Sequence, residues 1–151
     1  MIVPVTPYRA VTAALPPIGR RPRGGPCAPP TLSDMAHPFA SADVDVTPAE
    51  VRRRHAAGEI DLIDVRERYE RDAGHIALSR HIELRRLAAS SQTLPRDRPV
   101  VFYCRVGARS RLAAGAFRRA GIDAYSMAGG LQAWDEAGHP LTPDGGRVAD
   151  H

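Results

Sequence analysis

The chain has no lysine, and all 21 of its basic side chains are arginine. Any side-chain cation that meets an anion is therefore arginine or histidine. Arginine's planar fork donates two hydrogen bonds at once. Cysteine is almost as scarce. There are two, Cys27 and Cys104, and Cys27 sits in a Pro/Gly/Arg stretch with no core pattern. That argues against a structural bridge and for a reducing, cytoplasmic compartment where a thiol stays free. No apolar run approaches the length that spans a bilayer, so no membrane partner is expected. No GxGxxG or P-loop is present, so no nucleotide cofactor is expected either. The six histidines are scattered. With one cysteine in the patterned part of the chain they lack metal-ligand spacing, and no metal is expected.

The net charge of +4 suggests nucleic acid until the charge is located. Arg9, Arg20, Arg21 and Arg23 lie in residues 1–40 with a single acid, Asp34. The rest is close to neutral, so no nucleic-acid surface is expected. The same segment carries nine of the 14 prolines and keeps no helix or strand period. Residues 1–40 are expected to be a disordered Pro/Arg-rich leader. Its one apolar stretch, Ala10–Leu15, stops at Pro16-Pro17, too early for a signal peptide. A transit peptide fits the arginines but not the prolines. The favoured expectation is that translation starts at Met35.

Beyond residue 40 the chain is patterned. Thr47-Pro48-Ala49-Glu50 is a capping box with proline at the first helical position, opening a helix to about Ala57. Ile60–Val65 reads as a strand, with Asp64 near its end. Glu67–Ala73 and Glu83–Ser90 read as helices. Pro99–Tyr103 is a continuous apolar strand, as in the middle of a parallel sheet. Arg109–Ala120 reads as a helix, Ala124–Met127 as a strand, and Gly130–Ala137 as a last helix. Strands alternating with helices imply an α/β fold whose ligands bind at the carboxyl ends of the strands.

Cys104 lies at one of those ends. The run Val100-Val-Phe-Tyr-Cys104-Arg-Val-Gly-Ala-Arg109-Ser110 is strand, tight turn, helix N-terminus, with a thiol at the pivot. A helix start offers unpaired N–H groups and a positive dipole end. A cysteine there, flanked by Arg105 and Arg109, is expected to be held as the nucleophilic thiolate. The ordinary state of a free cysteine is buried and structural; the loop is what argues for chemistry.

Four segments, in order, resemble the rhodanese family: Leu62-Ile-Asp-Val-Arg66; Gly74-His-Ile76; Cys104-Arg-Val-Gly-Ala-Arg-Ser110; and Gly129-Gly-Leu-Gln-Ala-Trp134 with Gly138-His-Pro-Leu141. The likeness covers roughly residues 43–142. It implies a three-layer α/β domain over residues 41–143, with a mostly parallel five-stranded sheet flanked by helices. Residues 144–151 are left as a flexible tail. It also implies sulfur transfer through a Cys104 persulfide, from thiosulfate or a persulfide donor to cyanide, a thiol or a protein acceptor. Four residues separate Cys104 from Arg109. That is the short loop of sulfur-transferring members; the phosphatases and arsenate reductases of the same fold have five. The alternatives are a sulfur carrier loaded by a partner protein and, less favoured, a phosphatase or arsenate reductase. Two departures stand out. The family's Gly-His-Ile-Pro-Gly-Ala run here reads Gly74-His-Ile-Ala-Leu-Ser79, and Tyr69 precedes Glu70 where an acid usually precedes an aromatic.

The resemblance gives each residue a role. Cys104 is the nucleophile. The backbone N–H groups of Arg105, Val106, Gly107, Ala108, Arg109 and Ser110 form the anion cradle, with Gly107 taking a positive φ. Arg105 faces the mouth and draws in thiosulfate, unless it is a plain surface arginine. Arg109 pins the loop by pairing with Asp64, a strand-end acid that needs a partner. Ser110 caps the helix or donates to sulfur, with the cap favoured. Arg66 reaches the pocket or ties down the following helix. His75 is structural, since sulfur transfer to an ionised thiol needs no proton abstraction. Leu131 and Trp134 share a helix face and belong to the core.

Overall fold

A computed structural model describes residue 39 and residues 43–150. The leader expected over residues 1–40 therefore lies, except for Phe39, outside the described residues.

Thr47 does cap α1 (Pro48–Ala56): its Oγ1 accepts from the Glu50 N–H at 3.3 Å, and proline fills the first turn. The chain continues through β2 (Asp61–Asp64), α2 (Arg68–Ala73), β3 (Arg80–His81), α3 (Leu84–Leu87), β4 (Val100–Tyr103), α4 (Ala108–Arg119), β5 (Ala124–Met127) and α5 (Gly130–Glu136), with β1 (Asp45–Val46) ahead of α1. The five strands form one parallel sheet in the order β1-β5-β4-β2-β3.

Alternation along each strand sends side chains to two apolar layers. Leu62, Val101, Tyr103, Tyr125 and Met127 pack with Val51 of α1 and with Leu131 and Trp134 of α5. Ile63, Val65, Val100, Phe102, Cys104 and Ala124 pack with Ala113, Ala114 and Phe117 of α4. Because β4 is covered on both faces, all four of its residues are buried. That is why it reads as an uninterrupted apolar run.

The structure adds detail in four places. The helix read over Glu83–Ser90 is one turn, α3, followed by a separate 3-10 turn at Ser91–Thr93. β3 carries no apolar pattern, because a two-residue edge strand of Arg80 and His81 buries neither face fully. The domain reaches upstream of residue 41: Phe39 is buried with its ring 4.4 Å from that of Tyr125. Finally, residues 144–150 lie against the domain rather than leaving it. Arg147 donates its N–H to Ala73 O at 2.9 Å, and the half-buried Val148 joins the core. Among the described residues, no helix is long and apolar enough to cross a membrane.

Candidate active site at the carboxyl ends of β2 and β4

After Tyr103 the chain leaves the sheet and α4 begins at Ala108, one residue earlier than its sequence suggests. Gly107 is the hinge, with φ +101°. A Cβ there would sit 3.4 Å from the Gly129 nitrogen, an ordinary contact, so it is the backbone conformation that calls for glycine. The turn points donors at sulfur. The Gly107 N–H donates to Cys104 Sγ at 3.1 Å, and the Ser110 hydroxyl lies 3.6 Å from the same atom. Ser110 is three residues into α4's side of the hinge, not its cap; its Oγ also reaches Gly107 O at 3.1 Å and Ser126 Oγ at 2.9 Å. Cys104 itself is only 1% exposed.

The loop's outward carbonyls are held by α5. Leu131 N donates to Cys104 O at 2.8 Å and Gln132 N to Arg105 O at 2.9 Å. This contact is possible only because residue 130 is glycine. Its φ is +59°, and a Cβ would lie 2.5 Å from Cys104 O. With the Cys104 and Arg105 carbonyls turned toward α5, the Gly107 amide faces the sulfur.

Arg109 does not pair with Asp64. It forms a two-pronged bond with Glu70 of α2, Nη1 to Oε2 at 2.8 Å and Nη2 to Oε1 at 2.7 Å. The Glu70 fork raises the Arg109 pKa; burial opposes it; the charges of Glu70 and of the Cys104 sulfur add to it. The guanidinium is thus held by Glu70. Burial works against the Glu70 charge, but the Arg109 fork and the Glu67 N–H outweigh it and hold the carboxyl below its ordinary range. The sequence expectation did not include Glu70. Its signal is the Glu67–Glu70 spacing, which forms a reciprocal capping box at the start of α2.

Asp64 belongs to Arg66 instead. Both are fully buried. Asp64 accepts from Arg66 N at 3.0 Å, Nε at 2.9 Å and Nη2 at 2.7 Å. The remaining guanidinium donors go to Glu70 O at 3.1 Å and Gly74 O at 2.8 Å. Arg66 therefore ties down α2 and does not reach the sulfur. A short-range partner two residues away wins over Arg109 because the chain delivers it without any loop closure. His75 bonds Arg71 O through Nδ1 at 3.1 Å, a structural contact.

Arg105 stands at the rim, where its Nη2 donates to Asp150 at 2.6 Å. Val106 is half exposed beside it, and Ala108 starts α4. Among the described residues no cluster of His, Cys, Asp and Glu could hold a metal.

Comparison with known proteins agrees with this architecture. The family model for the rhodanese-like domain matches residues 47–137. Over 119 residues the chain is 39% identical to an HTH-type transcriptional regulator of Mycobacterium tuberculosis, a match covering 73% of the chain and 51% of the regulator. It is 33% identical over 90 residues to the thiosulfate sulfurtransferase GlpE of Pseudomonas aeruginosa, covering 59% of the chain and 81% of that enzyme. A solved rhodanese-related protein from Thermoplasma volcanium superposes with a TM-score of 0.61 at 28% identity, over 65% of the chain and 96% of that structure. The chain spans about half the length of the transcriptional regulator it matches. With its family model matched from α1 through α5 and its cysteine loop at the end of the central strand, the chain belongs to the rhodanese-like domain family.

Proposed function

We propose that this protein is a sulfurtransferase that carries sulfane sulfur on Cys104. The observation that supports it best is the convergence of two donors on one sulfur atom, the Gly107 N–H and the Ser110 hydroxyl, in a loop whose Arg109 guanidinium is held by Glu70. Such an array favours negative charge on sulfur before and after transfer. In the first step the Cys104 thiolate attacks the outer sulfur of thiosulfate. The S–S bond of the donor breaks, sulfite leaves with the electron pair, and Cys104 holds a persulfide. In the second step a nucleophile attacks the outer sulfur of that persulfide, and the thiolate is regenerated. Cyanide as acceptor gives thiocyanate. No proton has to be removed and no cofactor takes part. The cycle needs Cys104 reduced, which suits a cytoplasmic setting.

The loop around Cys104 is short. Four residues lie between Cys104 and Arg109, and the Gly107 amide already touches Sγ. A tetrahedral phosphate needs more donors at a wider radius, so the phosphatase and arsenate reductase readings are disfavoured.

One observation favours a second donor. Arg105, the residue expected to attract thiosulfate, is engaged by Asp150. That suits sulfur arriving as a persulfide from a protein or small thiol, which brings less charge. Thiocyanate formation by wild type and Cys104→Ser, with thiosulfate or a small-molecule persulfide as donor, tests both readings. Cys104-dependent turnover with either donor is expected. Thiocyanate formation that survives Cys104→Ser contradicts the proposal, as does cleavage of an aryl phosphate that depends on Cys104.

A further inference from the structure

One fully buried polar side chain touches this loop from below and has no task in the two steps above: Ser126. It lies on β5, where all four residues are buried. Tyr125 and Met127 face the layer under α1 and α5. Ser126 faces the opposite way with Ala124, beneath α4, paired in register with Phe102. A hydroxyl in that apolar layer weakens the fold unless it is bonded, and its bond goes to Ser110 Oγ at 2.9 Å.

Ser110 has one hydroxyl proton and three acceptors within reach: Ser126 Oγ, Gly107 O at 3.1 Å and Cys104 Sγ at 3.6 Å. A proton given to Ser126 is lost to the sulfur. When Ser126 is the donor, that acceptor is removed from the competition. The Ser110 proton then goes to the strongest remaining acceptor, which is an anionic sulfur, because charge-assisted hydrogen bonds exceed neutral ones. Hydroxyl chains of this kind polarise in one direction together. We infer that Ser126 is a positioning residue: it donates to Ser110 and so turns the Ser110 hydroxyl onto the Cys104 sulfur whenever that atom is anionic. The inference rests on Cys104 acting as a nucleophile, but it concerns the thiolate and needs no sulfur donor.

The charged groups on the elements packed around Ser126 and the loop are Arg109 of α4, bound to Glu70 of α2; Arg105 of the loop, bound to Asp150; and Asp45 of β1, in register with Ser126 and paired with Arg111 of α4 at 3.4 Å. The Ser126 hydroxyl bonds Ser110 and not these groups, so its truncation leaves their pairings in place. The test is the pH profile of Cys104 carboxamidomethylation by iodoacetamide, read peptide by peptide so that Cys27 is scored separately. Ser126→Ala is expected to shift the profile to higher pH and to slow labelling near neutrality by roughly three-fold, the worth of one ordinary hydrogen bond. Ser126→Thr keeps the hydroxyl and is expected to restore the wild-type profile. In a Ser110→Ala background, Ser126→Ala is expected to change nothing further. A Ser126→Ala profile that superposes on wild type overturns the inference, as does a shift that persists undiminished without the Ser110 hydroxyl. Should Ser126→Ala not fold, Ser126→Cys supplies a weaker donor of similar volume; a smaller shift in the same direction is expected, and no shift overturns the inference. Sulfur loading from thiosulfate is measured in parallel. If wild type never loads, the sulfur-transfer reading fails while the labelling comparison still decides the role of Ser126.

Discussion

The carboxyl ends of β2 and β4 lie side by side, yet one is fixed by side-chain charge and the other by backbone amides. After β2, the buried Asp64 and Arg66 satisfy each other and the carbonyls of Glu70 and Gly74. The Arg66 guanidinium is spent on that carboxylate and on holding α2. After β4, the charged side chains are engaged by acids, Arg105 by Asp150 and Arg109 by Glu70, and Cys104 meets the hinge amide and a hydroxyl. The two regions join at one point, the Glu70–Arg109 fork. A charge buried in a scaffold has to be paired, and a paired charge is a poor ligand. A backbone amide lacks that conflict: α5 takes the Cys104 and Arg105 carbonyls, and the Gly107 N–H points at the sulfur.

The comparison breaks first at Arg66. Arg66→Ala leaves the Asp64 carboxylate buried without its main partner and two carbonyls without donors. Removing one member of such a pair costs about 3–5 kcal/mol, measurable by urea titration of the far-ultraviolet circular dichroism. A loss under about 1 kcal/mol would mean that the β2 end is not held by charge.

On the β4 side the corresponding break is Gly130→Ala. The new methyl would sit 2.5 Å from the Cys104 carbonyl, at a residue with φ +59°. The loop has to shift away from α5, at a cost of about 1–3 kcal/mol. Sulfur loading of Cys104 is expected to fall much more than the fold is weakened. Unchanged loading would show that α5 does not shape the cradle.

The junction gives a smaller, pH-dependent effect. Glu70 has its carboxyl pKa below the ordinary value, so its pairing stabilises the fold fully above the unfolded value of about 4.3. That stabilisation is lost as the pH falls through the lower folded value. Glu70→Gln is expected to cost about 1–2 kcal/mol at neutral pH, with the partial exposure of Arg109 keeping the effect modest. It should also flatten the acid limb of stability against pH. An acid limb identical to wild type contradicts the assignment of that limb to Glu70.

Much of this is legible in the residues. The apolar run of β4, the capping box at Thr47 and the cysteine before a Gly/Arg turn carry local signals. Those signals are read from neighbours in the chain. The features that escape such reading are set by partners far apart in sequence. Nothing near Arg109 announces Glu70, 39 residues earlier, and Asp64 looks like a free acid only when its partner two residues on is assigned to the site. Ser126 reads as one more residue of a buried strand, since its meaning depends on Ser110 arriving from α4. The glycines at 129 and 130 stand out as a pattern, but their task emerges only where Gly130 meets the Cys104 carbonyl. The tail after residue 143 has no periodic pattern, and it is placed by one main-chain bond to Ala73, by Val148 and by the Asp150–Arg105 pair, partners far away in sequence.

Sulfur transfer requires the Cys104 sulfur to be a nucleophile within reach of a donor, although the residue is 1% exposed. Intact-protein and peptide mass spectrometry after incubation with thiosulfate, then with cyanide, addresses this directly. The expected result is a gain of one sulfur atom on the peptide containing Cys104, removed by cyanide and absent in Cys104→Ser. A folded protein whose Cys104 stays unmodified by thiosulfate and by a small persulfide, while a control rhodanese is loaded, would contradict it.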